Sequence, residues 1–165
     1  MIQVRIGGLS LDPMSEQPVL LLVPADDPVG PGEPRIALPI WIGTAEAGAI
    51  LLAIQGIAAP RPMTHDLLAS TIHALGFRVD RIEVTRLESG TFYAAILLQG
   101  TSGEVAIDAR PSDSVALAVR VRCPILVADD VFSEAAVEIT EVDEEEEVQR
   151  FRDFLDHVDP SDFMS

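Results

Sequence analysis

The sequence predicts an α+β fold in which two repeats of three strands and a helix build a curled, barrel-like, mostly antiparallel sheet flanked by helices. Segments with strand patterns outnumber segments with helical patterns, which favours an antiparallel sheet over a doubly wound one. Residues 40–46 align with residues 107–113, and each segment follows about three strands and opens a helix of small residues. A hydrophobic content of 48% over 165 residues supports the core of one domain.

The first three strands are predicted by apolar patterns. Residues 2–6 alternate between apolar and polar side chains, as in a half-buried strand, and the glycine pair at 7–8 indicates a bulge. Residues 18–23 and 36–42 are apolar strands separated by a proline-rich loop. Pro39 places the second of these strands at an edge or a bulge, because proline donates no hydrogen bond to a neighbouring strand.

Three helices are predicted, over residues 44–55, 64–75 and 112–120. Each begins at a hydroxyl residue, and Thr44, Thr64 and Ser112 are therefore expected to cap the free backbone N–H groups. In the second helix an apolar stripe is expected to face the protein, with His73 on the solvent side. The stripe consists of Leu67, Leu68, Thr71, Ile72 and Leu75.

Four further strands complete the predicted sheet, at residues 78–87, 91–99, 104–109 and 125–128. The domain is expected to span residues 1–135. Residues 136–165 are expected to form an acidic linker and an amphipathic helix that docks on the body or on a neighbouring subunit. The apolar seam of that helix consists of Val148, Phe151, Phe154, Leu155 and Val158.

The net charge of −16 is concentrated in the tail. Residues 129–165 hold 14 acidic residues against two arginines, whereas residues 1–128 hold 13 acids against nine arginines. Such a balance excludes strong polyanion binding by simple counterion release. No apolar run reaches the roughly 20 residues of a membrane span, and no basic and apolar leader is visible. With a single cysteine, Cys123, a cytoplasmic location and no membrane partner are expected.

Two helix starts carry more polar chemistry than capping requires. Residues 61–67 read Arg-Pro-Met-Thr-His-Asp-Leu, and residues 108–114 read Asp-Ala-Arg-Pro-Ser-Asp-Ser. Proline, a hydroxyl and an acid suit a helix start. Capping does not explain Arg61, His65, Asp108 or Arg110, and this surplus points to a functional site.

Four motifs together make the chain resemble the bifunctional nuclease family. They are residues 38–43, Leu-Pro-Ile-Trp-Ile-Gly, with Glu46; residues 61–67; residues 90–94, Gly-Thr-Phe-Tyr-Ala; and residues 108–114. The tail is similar to that of actinobacterial members. The resemblance implies a barrel-like α+β domain of two repeats, a homo-oligomer, and cleavage of both DNA and RNA.

A metal-assisted hydrolysis is the first hypothesis for the site. Carboxylates can hold Mg²⁺ or Mn²⁺, which supplies activated water and stabilises charge on phosphate. Asp108 and Asp113 are the candidate metal ligands, to which Glu46 or Asp66 adds. His65 is the candidate general base or acid, because an unshifted imidazole titrates near about 6.5. The candidate substrate-binding residues are Arg61, Arg110 and Ser112.

Structural roles remain open for the same residues. Asp113 and Glu46 can simply complement helix dipoles, and Arg110 can form a structural ion pair. Trp41, Phe92 and Tyr93 are expected in the core rather than on a base-stacking platform. The alternative function is therefore a non-catalytic oligomeric binding module, whose polar cluster binds an anion or stabilises a subunit interface. If the protein is a nuclease, its contact with nucleic acid is expected to be weak and non-specific.

Overall fold

The structure is a computed structural model that describes residues 1–27, 34–139, 149, 150, 152, 153 and 156. The strands are β1 (Ile2–Leu11), β2 (Pro18–Pro24), β3 (Arg35–Trp41), β4 (Arg78–Glu88), β5 (Thr91–Gly100), β6 (Gly103–Ala109), β7 (Ile125–Val127) and β8 (Val137–Ile139). The helices are α1 (Thr44–Ile54), α2 (Thr64–Ala74), α3 (Pro111–Val121) and α4 (Asp129–Ala135).

All eight strands form one sheet, in the order β6-β5-β4-β7-β1-β2-β3-β8. Strands β1-β2-β3 form one antiparallel meander, and strands β4-β5-β6 form a second. Helix α1 follows the first meander, and helix α3 follows the second. The predicted pair of three-strand repeats is therefore present. β7 joins them, antiparallel to β1 and parallel to β4. The sheet is open, since β6 and β8 are its two edges, so the predicted curl stops short of a closed barrel.

Proline and glycine act in the first meander as predicted. The pairing of β1 with β2 shifts register between Ile6 and Gly8, which is the predicted bulge. β8 pairs with β3 only at residues 35–37, so Pro39 lies beyond that pairing. Its missing N–H group therefore leaves no strand partner unsatisfied on that side.

The three predicted helices are present, but the predicted capping residues are wrong. The N-cap positions belong to Gly43, Met63 and Arg110, and none of them makes a side-chain cap hydrogen bond. Thr44 and Thr64 are the first residues of their helices, and Ser112 is the second residue of α3 behind Pro111. The reason is that each helix begins one or two residues earlier than a hydroxyl cap would place it.

The buried face of α2 is rotated from the predicted stripe. His65 and Ile72 are its buried residues, and Leu68 packs against the core. Leu67 and Leu75 are exposed, because α2 packs through its other face against α3. His73 is exposed, as predicted.

Two elements near residue 135 were not predicted. Helix α4 covers Asp129–Ala135, and β8 pairs with β3 beyond the expected end of the domain. Glu138 and Ile139 are therefore part of the sheet rather than of a linker. Of the predicted tail helix, Gln149, Arg150, Arg152, Asp153 and Asp156 are helical. The seam residues at 148, 151, 154, 155 and 158 lie outside the described residues.

The core lies between the sheet and the pair α1 and α3. Fully buried side chains come from both meanders and from α1 and α3, including Leu20, Leu38, Ile50, Ile82 and Leu117. Burying a side chain of this size contributes roughly 1.5–3 kcal/mol before ordering costs. Among the described helices, none is both long and apolar enough to cross a membrane.

Candidate active site

Three helices present their N-termini to one another, and each carries an acid at its third position. These acids are Glu46 in α1, Asp66 in α2 and Asp113 in α3. A carboxylate in the first helical turn lies near unpaired backbone N–H groups and the positive end of the helix dipole. We call residues 43–46, 63–66 and 110–113 the helix entrances.

A continuous chain of hydrogen bonds links the helix entrances. Arg110 donates from Nε to an oxygen of Asp113 at 2.7 Å and from Nη2 to an oxygen of Glu46 at 2.7 Å. The second oxygen of Asp113 lies 3.0 Å from Nε2 of His65. We call Glu46, His65, Arg110 and Asp113 the entrance cluster. The predicted motifs at residues 61–67 and 108–114 therefore do meet, together with Glu46.

The surroundings of Asp113 fix its charge. Burial alone raises the pKa of this carboxyl, but hydrogen bonds from Arg110 and His65 outweigh burial and hold the pKa below its ordinary value of 3.8. The two carboxylates in turn raise the pKa of Arg110, and the bond to Asp113 is the larger cause. Asp113 is therefore ionised at neutral pH, and Arg110 stays charged beside it.

His65 is placed behind Asp113 rather than at the surface. The residue is only 7% exposed, whereas the Arg110 side chain is 65% exposed. The His65 Nε2 atom faces the Asp113 carboxylate at 3.0 Å. The structure thus brings His65 into the cluster while leaving Arg110 as its most accessible group.

A second ion pair, between Asp66 and Arg120, lies beside the entrance cluster. Arg120 donates from Nε to Asp66 at 2.6 Å and to the backbone oxygens of Ala116 and Ala49 at 2.7 and 3.2 Å. Asp66 also accepts from the backbone N–H of Met63 at 2.9 Å, and this bond is the main reason why the pKa of Asp66 lies below its ordinary value. Arg120 therefore ties α1, α2 and α3 together.

Sequence reasoning missed Arg120. It lies in the last turn of α3, where a basic residue is ordinarily explained by the helix dipole. Its partner Asp66 is 54 residues away, and no local pattern connects the two.

Gly43 leaves the space in which the Glu46 carboxylate lies. A Cβ atom added to Gly43 would collide with that carboxylate, which folds back over the start of α1. Glycine at this N-cap therefore leaves room for the contact between Glu46 and Arg110. Gly43, the glycine of the motif at residues 38–43, therefore has a steric role at the site.

A cleft of about 300 Å³ opens beside Arg110. It lies between the end of β3, the turn from β4 to β5, and the starts of α1 and α3, and Trp41, Gly43, Thr91, Phe92 and Ser112 contribute to its walls. Its rim thus combines an exposed guanidinium group with an aromatic side chain.

The expectation that Trp41 lies in the core is wrong. Its side chain is at the surface, 49% exposed, because residue 41 is the last of β3, where the strand leaves the sheet. The indole Nε1 donates to Asp12 at 2.9 Å, which fixes the ring at the cleft. Phe92 packs against the core as predicted, and Tyr93 is half-buried with the Arg86 guanidinium 3.9 Å above its ring.

The remaining predicted residues lie outside the cluster. Asp108 is exposed on the edge strand β6, opposite Ala95, and has no ion pair within the described residues. Arg61 is exposed in the connection between α1 and α2, likewise without an ion pair in the described part of the chain. Ser112 is buried at the base of the cleft.

The carboxylates do not form a ready cage for a metal ion. Within residues 1–27 and 34–139 and the described tail positions, no three His, Cys, Asp or Glu side chains are grouped to hold one. Mg²⁺ often takes only one or two protein carboxylates and completes its shell with water and substrate phosphate. Asp113 offers oxygen of that chemical type, although Arg110 and His65 now occupy it.

The fold and the site define a class: a single-sheet α+β domain with an acid–guanidinium cluster and a small cleft where its helices begin. The family follows from comparison with known proteins. A family model of the bifunctional nuclease domain matches residues 31–140. The chain belongs to the bifunctional nuclease domain family.

The relatives fall into two groups, one similar over nearly the whole chain and one similar over part of it. A Mycobacterium tuberculosis protein described as uncharacterized is 42% identical over 171 residues, which cover 99% of this chain and 98% of that protein. Bifunctional nuclease 1 of Arabidopsis thaliana is 27% identical over 95 residues, 56% of this chain and 29% of the plant protein. The Oryza sativa protein of the same name is 25% identical over the same shares. The plant similarity thus covers one part of much longer chains.

Proposed function

We propose that this protein is a nuclease that hydrolyses phosphodiester bonds of DNA and RNA with low sequence preference, at the cleft beside the entrance cluster. The proposal rests on the observation that Arg110 and Trp41 both line that cleft. A guanidinium group suits a phosphate, and an exposed indole suits the face of a base. Membership of the bifunctional nuclease domain family supports the same chemistry.

Each residue of the site has a distinct role in this proposal. Arg110 contacts the scissile phosphate with the donors that Glu46 and Asp113 leave unused. Trp41 stacks on an adjacent base, which is a sequence-tolerant contact. Asp113 orients the attacking water, and His65 acts as a positioning residue that holds the Asp113 carboxylate in place.

The charge of the entrance cluster argues for a cation in the reaction. Its two carboxylates exceed its single guanidinium group by one negative charge, which repels a phosphate. We therefore propose a divalent metal, Mg²⁺ or Mn²⁺, held by Asp113 or Asp108 together with substrate. Such an ion would neutralise phosphate and lower the pKa of bound water.

The direct test is cleavage of DNA and RNA oligonucleotides by homogeneous protein. We expect activity with Mg²⁺ or Mn²⁺, its loss in chelator, and a loss of about 100-fold or more in Asp113→Asn, the size found when one transition-state contact is removed. Asp26→Asn, at an exposed acid in the turn after β2, is the matched control and should keep its activity. Equal activity of Asp113→Asn and the wild type would show that the cleavage comes from another site or from a contaminant.

One observation favours a second function, a non-catalytic binding module. Glu46, Asp66 and Asp113 are all engaged by arginine, which is what a cluster built to lock helices together requires. In that case homogeneous protein has no cleavage activity under any metal condition, and Asp113→Asn changes stability alone.

We further propose that the protein binds nucleic acid weakly and forms a homo-oligomer. Weak binding follows from the net charge of −16. The exposed Leu67 and Leu75 on α2 are unusual for a solvated helix face and suit a subunit contact. Light scattering tests this: Leu75→Glu should lower the molecular mass, and a monomeric wild type would contradict the proposal.

A further inference from the structure

A separate groove of about 650 Å³ lies where α1 and α3 end, at the opposite end of these helices from the helix entrances. Residues 3–9 of β1 and the last turns of α1 and α3 line it, together with residues 123–125. Leu51, Ile54, Ala118 and Val119 provide its apolar surface. Ile54 is 49% exposed, so this surface is only partly covered. An uncovered apolar patch of this kind is typical of a contact surface.

The tail of the same chain contacts the rim of this groove. Gln55, the C-cap residue of α1, directly follows Ile54. With its side-chain oxygen turned toward Arg152, Gln55 accepts hydrogen bonds from Nη2 and Nε of that arginine at 2.8 and 3.2 Å. A guanidinium group only donates, so this orientation of the amide satisfies both side chains. The contact brings a helical residue of the tail to the end of α1.

The position of Arg152 on the tail helix puts the apolar seam beside α1. The described residues of this helix are polar and exposed; they are Gln149, Arg150, Arg152, Asp153 and Asp156. At 100° per residue, the sequence pattern puts the seam on one side of a helix, opposite Gln149 and Asp153. Arg152 falls next to the seam, about 60° from position 155. A helix bound through Arg152 at the end of α1 can therefore turn its seam into the groove.

The connection between β8 and the tail helix is long enough for this contact within one molecule. β8 ends at Ile139, and the first described helical residue of the tail is Gln149. Ten residues span up to about 33 Å. In the sheet, β8 and β1 are three strand spacings apart, about 14 Å at roughly 4.8 Å each. The tether therefore reaches the groove and keeps the tail at a high effective concentration there.

Charge favours the same occupant. Arg122, the left-handed C-cap of α3, is an exposed residue of the groove lining, and no acid is among the described lining residues. Residues 140–165 hold ten acids against two arginines. An acidic segment is attracted to this end of the domain, whereas the excess negative charge at the helix entrances repels it.

We propose that this groove is the docking site for the tail helix of the same chain. The apolar seam lies against Ile54 and Val119, and Arg152 stays bound to Gln55 at the rim. The occupant follows from the observed contact, from the length of the tether and from charge complementarity. Docking there holds the acidic tail at the end of α1 and α3 that is opposite the helix entrances, so the cleft beside Arg110 stays open.

Cys123 reports whether the groove is covered, because it lines the groove and is the only cysteine of the chain. In the full-length protein, replacing Phe151 and Leu155 by glutamine should raise the rate of Cys123 alkylation by iodoacetamide at least fivefold. Replacing Arg150 and Asp156 by glutamine changes two exposed residues of the same helix at constant net charge and should leave the rate unchanged. Equal rates in the wild type and the two variants would overturn the proposal.

A labelled peptide of residues 146–160 tests the groove itself, with fluorescence anisotropy as the readout. It should bind saturably to the full-length Phe151→Gln, Leu155→Gln variant, and at least tenfold more weakly to the wild type, whose own tail occupies the groove. Adding Ile54→Glu to that variant should weaken peptide binding at least tenfold. Ile57→Glu is the control, because Ile57 is similarly exposed, at 53%, and is not part of the groove lining.

Two results of the peptide experiment would contradict the proposal. One is the absence of saturable binding to the Phe151→Gln, Leu155→Gln variant. The other is equal binding after Ile54→Glu and after Ile57→Glu. Melting curves confirm that the variants compared are folded.

Dilution distinguishes docking within one chain from docking on a second copy. Within one chain, the protection of Cys123 should be the same between about 1 and 100 µM protein, because the tether sets the effective concentration. Protection that is lost on dilution would assign the groove to the tail of a neighbouring subunit and contradict the proposal. None of these measurements uses cleavage, so failure here leaves the nuclease proposal intact.

Discussion

The two ends of the helix pair α1 and α3 differ in how their charged side chains are arranged. At the helix entrances, each acid is paired with an arginine from another helix or from its own cap, and the three acids exceed the two arginines by one charge. At the opposite ends of α1 and α3, which we call the helix exits, the groove of about 650 Å³ has mainly apolar walls, and Arg5 and Arg122 are the charged residues of its described lining. The comparison shows that one end holds its charged side chains in ion pairs, whereas the other presents mainly apolar surface.

This difference assigns the two ends to different chemistry. A preorganised cluster costs little to reorganise when charge develops on a substrate, which suits catalysis. The groove at the helix exits has no such network along its described lining and offers mainly apolar contact surface.

The largest expected effect is on cleavage, and it contrasts one arginine at each end. Arg110→Gln should lower the rate of oligonucleotide cleavage by about 100-fold or more, because it removes the phosphate contact. Arg122→Gln removes the same charge at the helix exits and should change the rate less than about twofold. Single-turnover cleavage of a labelled oligonucleotide measures both. A similar loss in the two variants would show that net charge, and not the entrance cluster, governs activity.

The next effect is on stability and tests whether Arg120 ties the helices together. Arg120→Met should lower the free energy of unfolding by about 2–3 kcal/mol, because it removes a charged donor from Asp66 and from two backbone oxygens. Arg78→Met breaks an exposed pair with Asp80 and should cost less than about 1 kcal/mol. Urea denaturation measures both values. Equal small losses would mean that the Arg120 contacts do not hold the entrances.

A smaller effect is expected from the aromatic side of the cleft. Trp41→Ala should weaken binding of single-stranded DNA about tenfold, within the roughly 1–3 kcal/mol of one base–aromatic stack. Trp41→Phe should retain most of the affinity. Because Trp41 is the only tryptophan, oligonucleotide binding should also quench the protein fluorescence. Unquenched fluorescence on binding would place the nucleic acid elsewhere.

Acid should act on the entrances and not on the exits. The pKa values of Asp66 and Asp113 lie below their ordinary value of 3.8. Their contribution to stability is therefore complete above about pH 4 and is lost as the pH falls through the lowered values. Asp113→Asn should flatten the loss of stability below pH 4, whereas Arg122→Gln should leave its slope unchanged. Urea midpoints between pH 3 and 7 test this, and a slope unaltered in Asp113→Asn would contradict it.

The smallest effect concerns the acidic tail. Replacing residues 144–147, which are four glutamates, by glutamine should strengthen DNA retention about two- to threefold at low salt, because less negative charge repels the phosphates. The gain should vanish at high salt. Replacing the exposed Glu16, Glu88, Glu134 and Glu138 by glutamine removes the same four charges elsewhere and is the control. An equal gain in that control would remove any special role of the tail.

Much of the entrance region could be predicted from sequence, because its signals are local. A helix start with an acid in its first turn is visible in a few residues, and the repeat placed Glu46 and Asp113 at equivalent positions. The two motifs at residues 61–67 and 108–114 were assigned to one site, and His65 and Asp113 of these motifs lie in contact. The caps were misassigned because the helices begin at Gly43, Met63 and Arg110, whose side chains make no cap hydrogen bond, while a hydroxyl residue follows each of them closely.

The exit region could not be predicted, because its signals are tertiary. Arg5 looks like the outward residue of a half-buried strand, yet its Nη2 atom is buried in the folded protein. Trp41 was expected inside because large aromatic residues usually are, but its place at the end of β3 exposes it. Strand β8 is three residues long and follows α4 closely, which leaves too little pattern to detect.

Hydrogen exchange of backbone amides tests the division between the two ends most directly. The measurement compares free protein with protein saturated by a phosphorothioate DNA oligonucleotide, which resists hydrolysis. We predict slowed exchange at the helix entrances of α1 and α3, residues 43–46 and 110–113, and unchanged exchange at the exits, residues 54–57 and 121–124. Protection at the exits with none at the entrances would contradict the assignment of nucleic-acid cleavage to the entrance cluster.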